Sequence, residues 1–113
     1  MKTIMKVMTV QAWENAKETG AIVEPSLHDE GFIHCSFLHQ SLRVAHKHFA
    51  SKPSLVLLAI DAERVQAEIK YELAANGERY PHIYGAIHTS AITHVYTLHQ
   101  HNDGTFTLPA ELA

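Results

Sequence analysis

Six consecutive apolar residues, Leu55 to Ile60, set the strongest constraint on this chain. Successive side chains of a strand point to opposite faces, so an unbroken apolar run of this length reads as a strand buried on both sides. With 113 residues the chain is one domain, long enough for a single sizeable core.

Around this run the sequence divides into short elements. Met1 to Met8 alternates loosely, with Lys2 and Lys6 on one side, and reads as a first strand. Thr9 can cap a helix running to about Glu18, with Val10, Trp13 and Ala16 along one stripe and Gly20 just past its end. Residues 20 to 31 hold Gly20, Pro25, Ser26, Asp29 and Gly31 and read as a long loop. Phe32 to Phe37 is rich in aromatic and β-branched residues and predicts a strand. Gln40 to Phe49 has helical spacing, and Ser51-Lys52-Pro53 ends it. Asp61 to Arg64 reads as a short helical turn. Val65 to Leu73 alternates cleanly and predicts a half-buried strand. A loop follows from Ala74 to Arg79, with Asn76-Gly77 at its tip. Tyr80 to Ile87 starts extended, because Pro81 keeps Tyr80 out of the helical region. Ile92 to Leu98 alternates again, and Asn102-Asp103-Gly104 predicts a hairpin turn into Thr105 to Leu108. Six to eight strands with two helices, both in the first half, make an α+β domain on mostly antiparallel sheet.

Composition narrows the function. A formal charge of -3 leaves no basic footprint for nucleic acid, although ten histidines would make the chain cationic at lower pH. A single cysteine excludes an internal disulfide and points to a reducing compartment. The first ten residues lack the apolar region of a signal peptide, and no run approaches the roughly 20 apolar residues of a membrane span. The expected setting is the cytoplasm, with no membrane partner.

The candidate site centres on Phe32 to Phe37. On a strand Phe32, His34 and Ser36 share one face, and Ile33, Cys35 and Phe37 share the other. The second face is apolar and reads as core. Cys35 therefore lies away from His34 among apolar neighbours, where a thiol is inert. His34 and Ser36 form a strand-mounted pair able to hydrogen-bond a ligand's hydroxyls or amide, or are a histidine and a serine satisfied by neighbouring groups. His82 and Tyr84, two apart, either pack as aromatics at a sheet edge or wall a pocket. Glu72 lies on the polar side of its strand with Glu68 and Lys70, near the strand's end. The histidines fall in no metal-binding spacing: no HExxH or CxxC occurs, and His46 and His48 diverge by roughly 200° on a helix. There is no phosphate-binding glycine loop and no nucleophile elbow.

Taken in order, Asp29-x-Gly31-Phe32-Ile33-His34-Cys35-Ser36, Gln40, Phe49, Leu55-Val56-Leu57-Leu58-x-Ile60-Asp61, Tyr71-Glu72 and Pro81-His82-Ile83-Tyr84-Gly85 resemble the small bacterial family called domain of unknown function 952. Trp13 and Gly20 fit as well, and the resemblance runs from about Lys6 to Leu98. It implies a fold like that of the ADP-ribosyltransferases, a compact split-sheet α+β architecture. In those enzymes a strand carries a histidine followed, two residues on, by serine or threonine; His34-Cys35-Ser36 matches, with Cys35 where glycine is usual. The resemblance implies that His34 would bond a ribose hydroxyl of NAD and that Tyr84 or Tyr80 would stack on the nicotinamide ring. Glu72 would be the carboxylate that steadies an oxocarbenium-like transition state. No Glu-x-Glu motif is present. The expectation is NAD- or nucleotide-handling chemistry in a cleft lined by His34, Ser36, His82 and Tyr84. The alternatives are a non-catalytic binding module on the same fold and a metal-assisted hydrolase drawing on the histidines.

Overall fold

The computed structural model describes residues 2–112. Eight strands and three α-helices follow the order β1 (Thr3–Thr9), α1 (Val10–Thr19), β2 (Ala21–Ile22), α2 (Pro25–Asp29), β3 (Ile33–His34), α3 (Ser41–His48), β4 (Ser54–Asp61), β5 (Glu68–Leu73), β6 (Arg79–Tyr84), β7 (Ile87–His88) and β8 (Ile92–His99). They form three antiparallel sheets: β1-β4-β8, β2-β7 and β3-β6-β5. The expected α+β class, the antiparallel sheet and the two main helices in the first half are all present.

The apolar run is the middle strand of the first sheet, and its alternation feeds two cores. Val56, Leu58 and Ile60 pack on one face with Trp13, Ala16, Ile22, Ile33, Ile83 and Ile87. Leu55, Leu57 and Ala59 pack on the other with Ala45, Leu98 and Phe106. Helix α1 covers the first face and α3 the second, each burying two of its residues, Trp13 and Ala16 in α1 and Ser41 and Ala45 in α3. Thr9 caps α1 as its side chain accepts from the Ala12 amide, and Gly20 ends the helix at φ 88°, where a Cβ would be strained.

Several expected elements take another form. The loop after Gly20 contains β2 and α2, with Pro25 in the first turn of α2, where its missing N–H is not needed. The predicted strand Phe32–Phe37 is only two residues of ladder, followed by a single bridge between Ser36 and Met5. The ladder with β6 ends at His34, with one last bond from the Cys35 amide to the Pro81 carbonyl (3.0 Å), and the chain pairs with β1 at Ser36, so it changes sheet inside the stretch. Pairing in β5 begins at Glu68 rather than Val65. Beyond the turn at 102–104 no strand forms among the described residues; the Phe106 amide donates to His46 Nε2 on α3 (2.9 Å) and its ring is buried in the second core.

Lys6 also departs from the polar side expected for it. It is 5 % exposed, and its ammonium donates to the His34 carbonyl at 2.7 Å and pairs with Glu24 at 2.9 Å. Burial of an ammonium is tolerable only with such partners. Gly85, just after β6, passes so close to Ala67 that an added Cβ would lie 2.7 Å from the Ala67 Cβ, which leaves no room for any other residue.

Candidate functional site

The third sheet sets the site by parity. Ile33, Ile83 and Ile69 stand in one row and turn into the first core. Their neighbours therefore face the other way: His34 opposite His82, His82 opposite Lys70, Tyr80 opposite Glu72 and Tyr84 opposite Glu68. The tight turn of the β5–β6 hairpin, with Gly77 at φ 85°, fixes this register.

On that outward face the rings converge. Phe32 stacks on His82, with centroids 4.1 Å apart and planes 12° from parallel. His34 meets Phe32 at 4.9 Å and His82 at 5.2 Å, both edge-on, and Tyr84 lies 5.2 Å from Phe32. Glu72 Oε1 accepts from His82 Nδ1 at 2.9 Å and from the Tyr84 hydroxyl. Lys70 places its ammonium 4.8 Å from the centroid of the Tyr84 ring, a cation–π arrangement.

These bonds fix protons. The Tyr84 hydroxyl, then His82, hold the Glu72 carboxyl below its ordinary range. The same bond to Glu72, aided by desolvation, pushes the Tyr84 phenol up to about 12. An ionised carboxylate only accepts, so His82 carries hydrogen on Nδ1 and Tyr84 donates. Among the described residues no group donates to Glu72 Oε2. Glu72 is thus a standing negative charge with one unengaged oxygen, suited to stabilising positive charge and unsuited to delivering a proton. At a pH of about 11, where a free phenol is mostly ionised, the Tyr84 ring resonances should remain those of the neutral phenol. In Glu72→Gln they should titrate at lower pH, closer to the ordinary value of about 10. Unchanged titration in that variant would break the assignment of the bond.

His34 joins this wall to a groove of about 630 Å³ between α1, the segment 21–26 and the His34 strand. Met8, Ala12, Ala16, Ile22 and Val23 make much of the groove apolar, with Asn15, Thr19 and Glu24 as polar members. Ser26, also in its lining, has a buried hydroxyl without a hydrogen-bond partner. His34 Nε2 donates to Glu30 Oε2 at 2.9 Å, and its carbonyl accepts from Lys6.

Of the residues expected at the site, the structure brings together His34, His82, Tyr84 and Glu72. Ser36 is not among them. It is 2 % exposed, and its hydroxyl meets Ser41 Oγ at 3.3 Å beneath α3. The change of sheet partner after His34 breaks the alternation that would have put the two on one face. Tyr80 shares the outward face, but its hydroxyl bonds Asn76 (2.8 Å) and Arg43 (3.2 Å) at the hairpin's end. Cys35 is core, as expected, its thiol pushed up to about 11 by burial. Phe37 is only partly buried and stacks against Tyr71 and His39. Among the described residues no three His, Cys, Asp or Glu side chains are grouped to hold a metal ion. Phe32, Glu30, Glu24 and Lys6 complete the site without having been singled out. Phe32 alone had a sequence signal, its parity with His34.

Comparison with known proteins finds the same overall fold in a solved structure. The crystal structure of protein CC0527 from Caulobacter crescentus is 32 % identical, covers 98 % of each chain and superposes with a TM-score of 0.87. The solution structure of CC0527 is 33 % identical over 93 % of this chain and 91 % of that one, with a TM-score of 0.78. No curated protein matches the sequence. The family model described as "Protein of unknown function (DUF952)" matches residues 7–95, and the chain belongs to that family.

Proposed function

We propose that the protein binds a heterocycle–ribose ligand of the NAD type between groove and wall, in an ADP-ribosyltransferase-like arrangement, and cleaves its glycosidic bond. One observation carries the reading: His34 belongs at once to the groove and to an aromatic wall that ends in an ionised carboxylate. In this reading the heterocycle lies against Phe32 and Tyr84, and His34 bonds a ribose hydroxyl. The C1′–N bond breaks with its electron pair leaving on the nicotinamide nitrogen. The carboxylate of Glu72 stabilises the ribosyl cation, which is captured by water or an acceptor hydroxyl whose proton passes to solvent. Ser36 and the Tyr80 hydroxyl have no part in it, because both are engaged elsewhere.

Binding without catalysis is favoured by a separate fact. The Glu72 side chain is 39 % exposed, and a solvated carboxylate stabilises charge far less than a dry one. Thermal-shift titration with NAD, nicotinamide riboside and ADP-ribose, with chromatographic detection of released nicotinamide, tests both readings. NAD or its riboside should stabilise the protein by mass action, by about 2.7 kcal/mol at a hundredfold excess over Kd, and His34→Ala should abolish the shift. Stabilisation with nicotinamide release supports the enzyme; stabilisation without it supports the binding module. A flat profile with every ligand, in folded protein, overturns both.

A further inference from the structure

We infer that the ligand this wall and groove select is a phosphate-free aromatic cation, the pyridinium riboside end of a nicotinamide nucleotide rather than the whole dinucleotide. The inference rests on the reading above and narrows it by charge.

A diphosphate is held by lysine, arginine, a helix N-terminus or a glycine-rich loop. The groove offers no lysine, arginine or glycine-rich loop, and the helix start in its lining is that of the five-residue α2, whose N-cap is the acidic Glu24; Glu24 and His34 are the titratable residues in its lining. Lys6 is close, but its side chain is 6 % exposed and it is engaged by Glu24 and the His34 carbonyl. The arginines lie with other partners, Arg43 on Glu78, Arg64 on Asp61 and Arg79 on the Tyr71 carbonyl. Around groove and wall stand four carboxylates, Glu24, Glu30, Glu68 and Glu72, against two ammonium groups, Lys6 and Lys70. The balance repels phosphate and attracts a cation.

The wall is also of the kind that holds one. Aromatic faces bind cations through their quadrupole, and nearby carboxylates add Coulombic attraction. The Tyr84 ring already holds the Lys70 ammonium at 4.8 Å, so a ligand cation has to take the Phe32 side of the wall, away from that charge. Phe32, stacked on His82, presents a second ring beside it. An N-alkylated pyridinium combines a flat ring for these faces with a positive charge for the carboxylates. Its ribose reaches His34 without bringing phosphate to the acidic rim.

Calorimetric titration of the full chain with nicotinamide riboside, N-methylnicotinamide, neutral nicotinamide and NAD tests this. The riboside should bind at least about tenfold more tightly than NAD, a difference of about 1.4 kcal/mol, and N-methylnicotinamide more tightly than nicotinamide. Glu24→Gln and the exposed-site variant Glu68→Gln should each weaken the riboside several-fold and narrow its advantage over NAD; the second keeps the test valid should the first fold poorly. NAD binding as tightly as the riboside, or more so, overturns the inference and leaves the proposed function standing. No binding of any of the four to folded protein overturns both.

Discussion

Ile83→Ala should lower the unfolding free energy by about 3–4 kcal/mol. Ile83 is fully buried, in the middle strand of its sheet, between Ile33 on β3 and Ile69 on β5. Truncation removes three carbons from a packed interior, and its neighbours cannot collapse into the space because each is fixed by strand pairing on its own side. The loss therefore combines transfer and cavity terms. Ile83→Val should cost no more than about 1.5 kcal/mol. Because Ile83 lies between His82 and Tyr84, the alanine variant should also loosen the ring contacts around Phe32. Urea unfolding gives the stability and ring-current shifts of the Phe32 protons give the packing. A loss under about 1 kcal/mol would mean that the site relaxes freely, against its placement in a close-packed core.

Glu24→Ala should cost about 2–3 kcal/mol although Glu24 is a surface-rim residue. The reason is Lys6. Removing the carboxylate strands an ammonium whose side chain is 6 % exposed, with only the His34 carbonyl left to it. The effect falls short of a fully interior pair because the Glu24 side chain is 27 % exposed and water reaches the gap. Lys6→Met should cost less, since the charge goes with the side chain and the stem is replaced by one of similar volume. Combined with Glu24→Ala it should recover most of the Glu24→Ala loss. A double-mutant cycle in urea measures this coupling. Additive single and double variants would show that the pair contributes nothing to the fold.

Where local pattern decides structure, the sequence was legible. The Leu55–Ile60 run carries its own explanation, because six apolar residues are too few for a buried helix and a doubly covered strand hides both their faces. Thr9 and Gly20 bound α1 by cap chemistry that needs no tertiary contact. Parity within each strand put His82 with Tyr84 and set Glu72 on the polar side of its own strand; that the two strands pair and share that face came from the structure. What was not legible depends on partners far away in the chain. Phe32–Phe37 has the composition of one strand, yet composition does not say that the partner changes from β6 to β1 after His34. That single change sends Ser36 under α3. Thr105–Leu108 likewise has strand-like residues and a good turn before it, but Phe106 finds a stronger anchor in the second core and in His46. Lys6 and Glu24 are distant in sequence and belong to different elements, and nothing in either segment marks them as a pair.

The shortness of β3 has a mechanical consequence. The β5–β6 hairpin closes through a local turn and pairs six residues from each strand, so Glu72, His82 and Tyr84 ride on a rigid support. His34 is attached differently: two ladder positions, the Cys35 amide on the Pro81 carbonyl at 3.0 Å, and the Lys6 tether to its own carbonyl. The ladder is short, but Ile33 and Cys35 on either side of His34 are both buried in the first core, and Ser36 exchanges two backbone bonds with Met5 (2.8 and 2.9 Å). Local opening free energies follow the bonds and contacts that must be released, so this segment is held by packing rather than by pairing. The two halves of the site are therefore anchored by different means: the carboxylate and its rings by ladder bonds, the histidine by the core residues beside it, so that a change in core packing at Ile33 reaches the histidine directly.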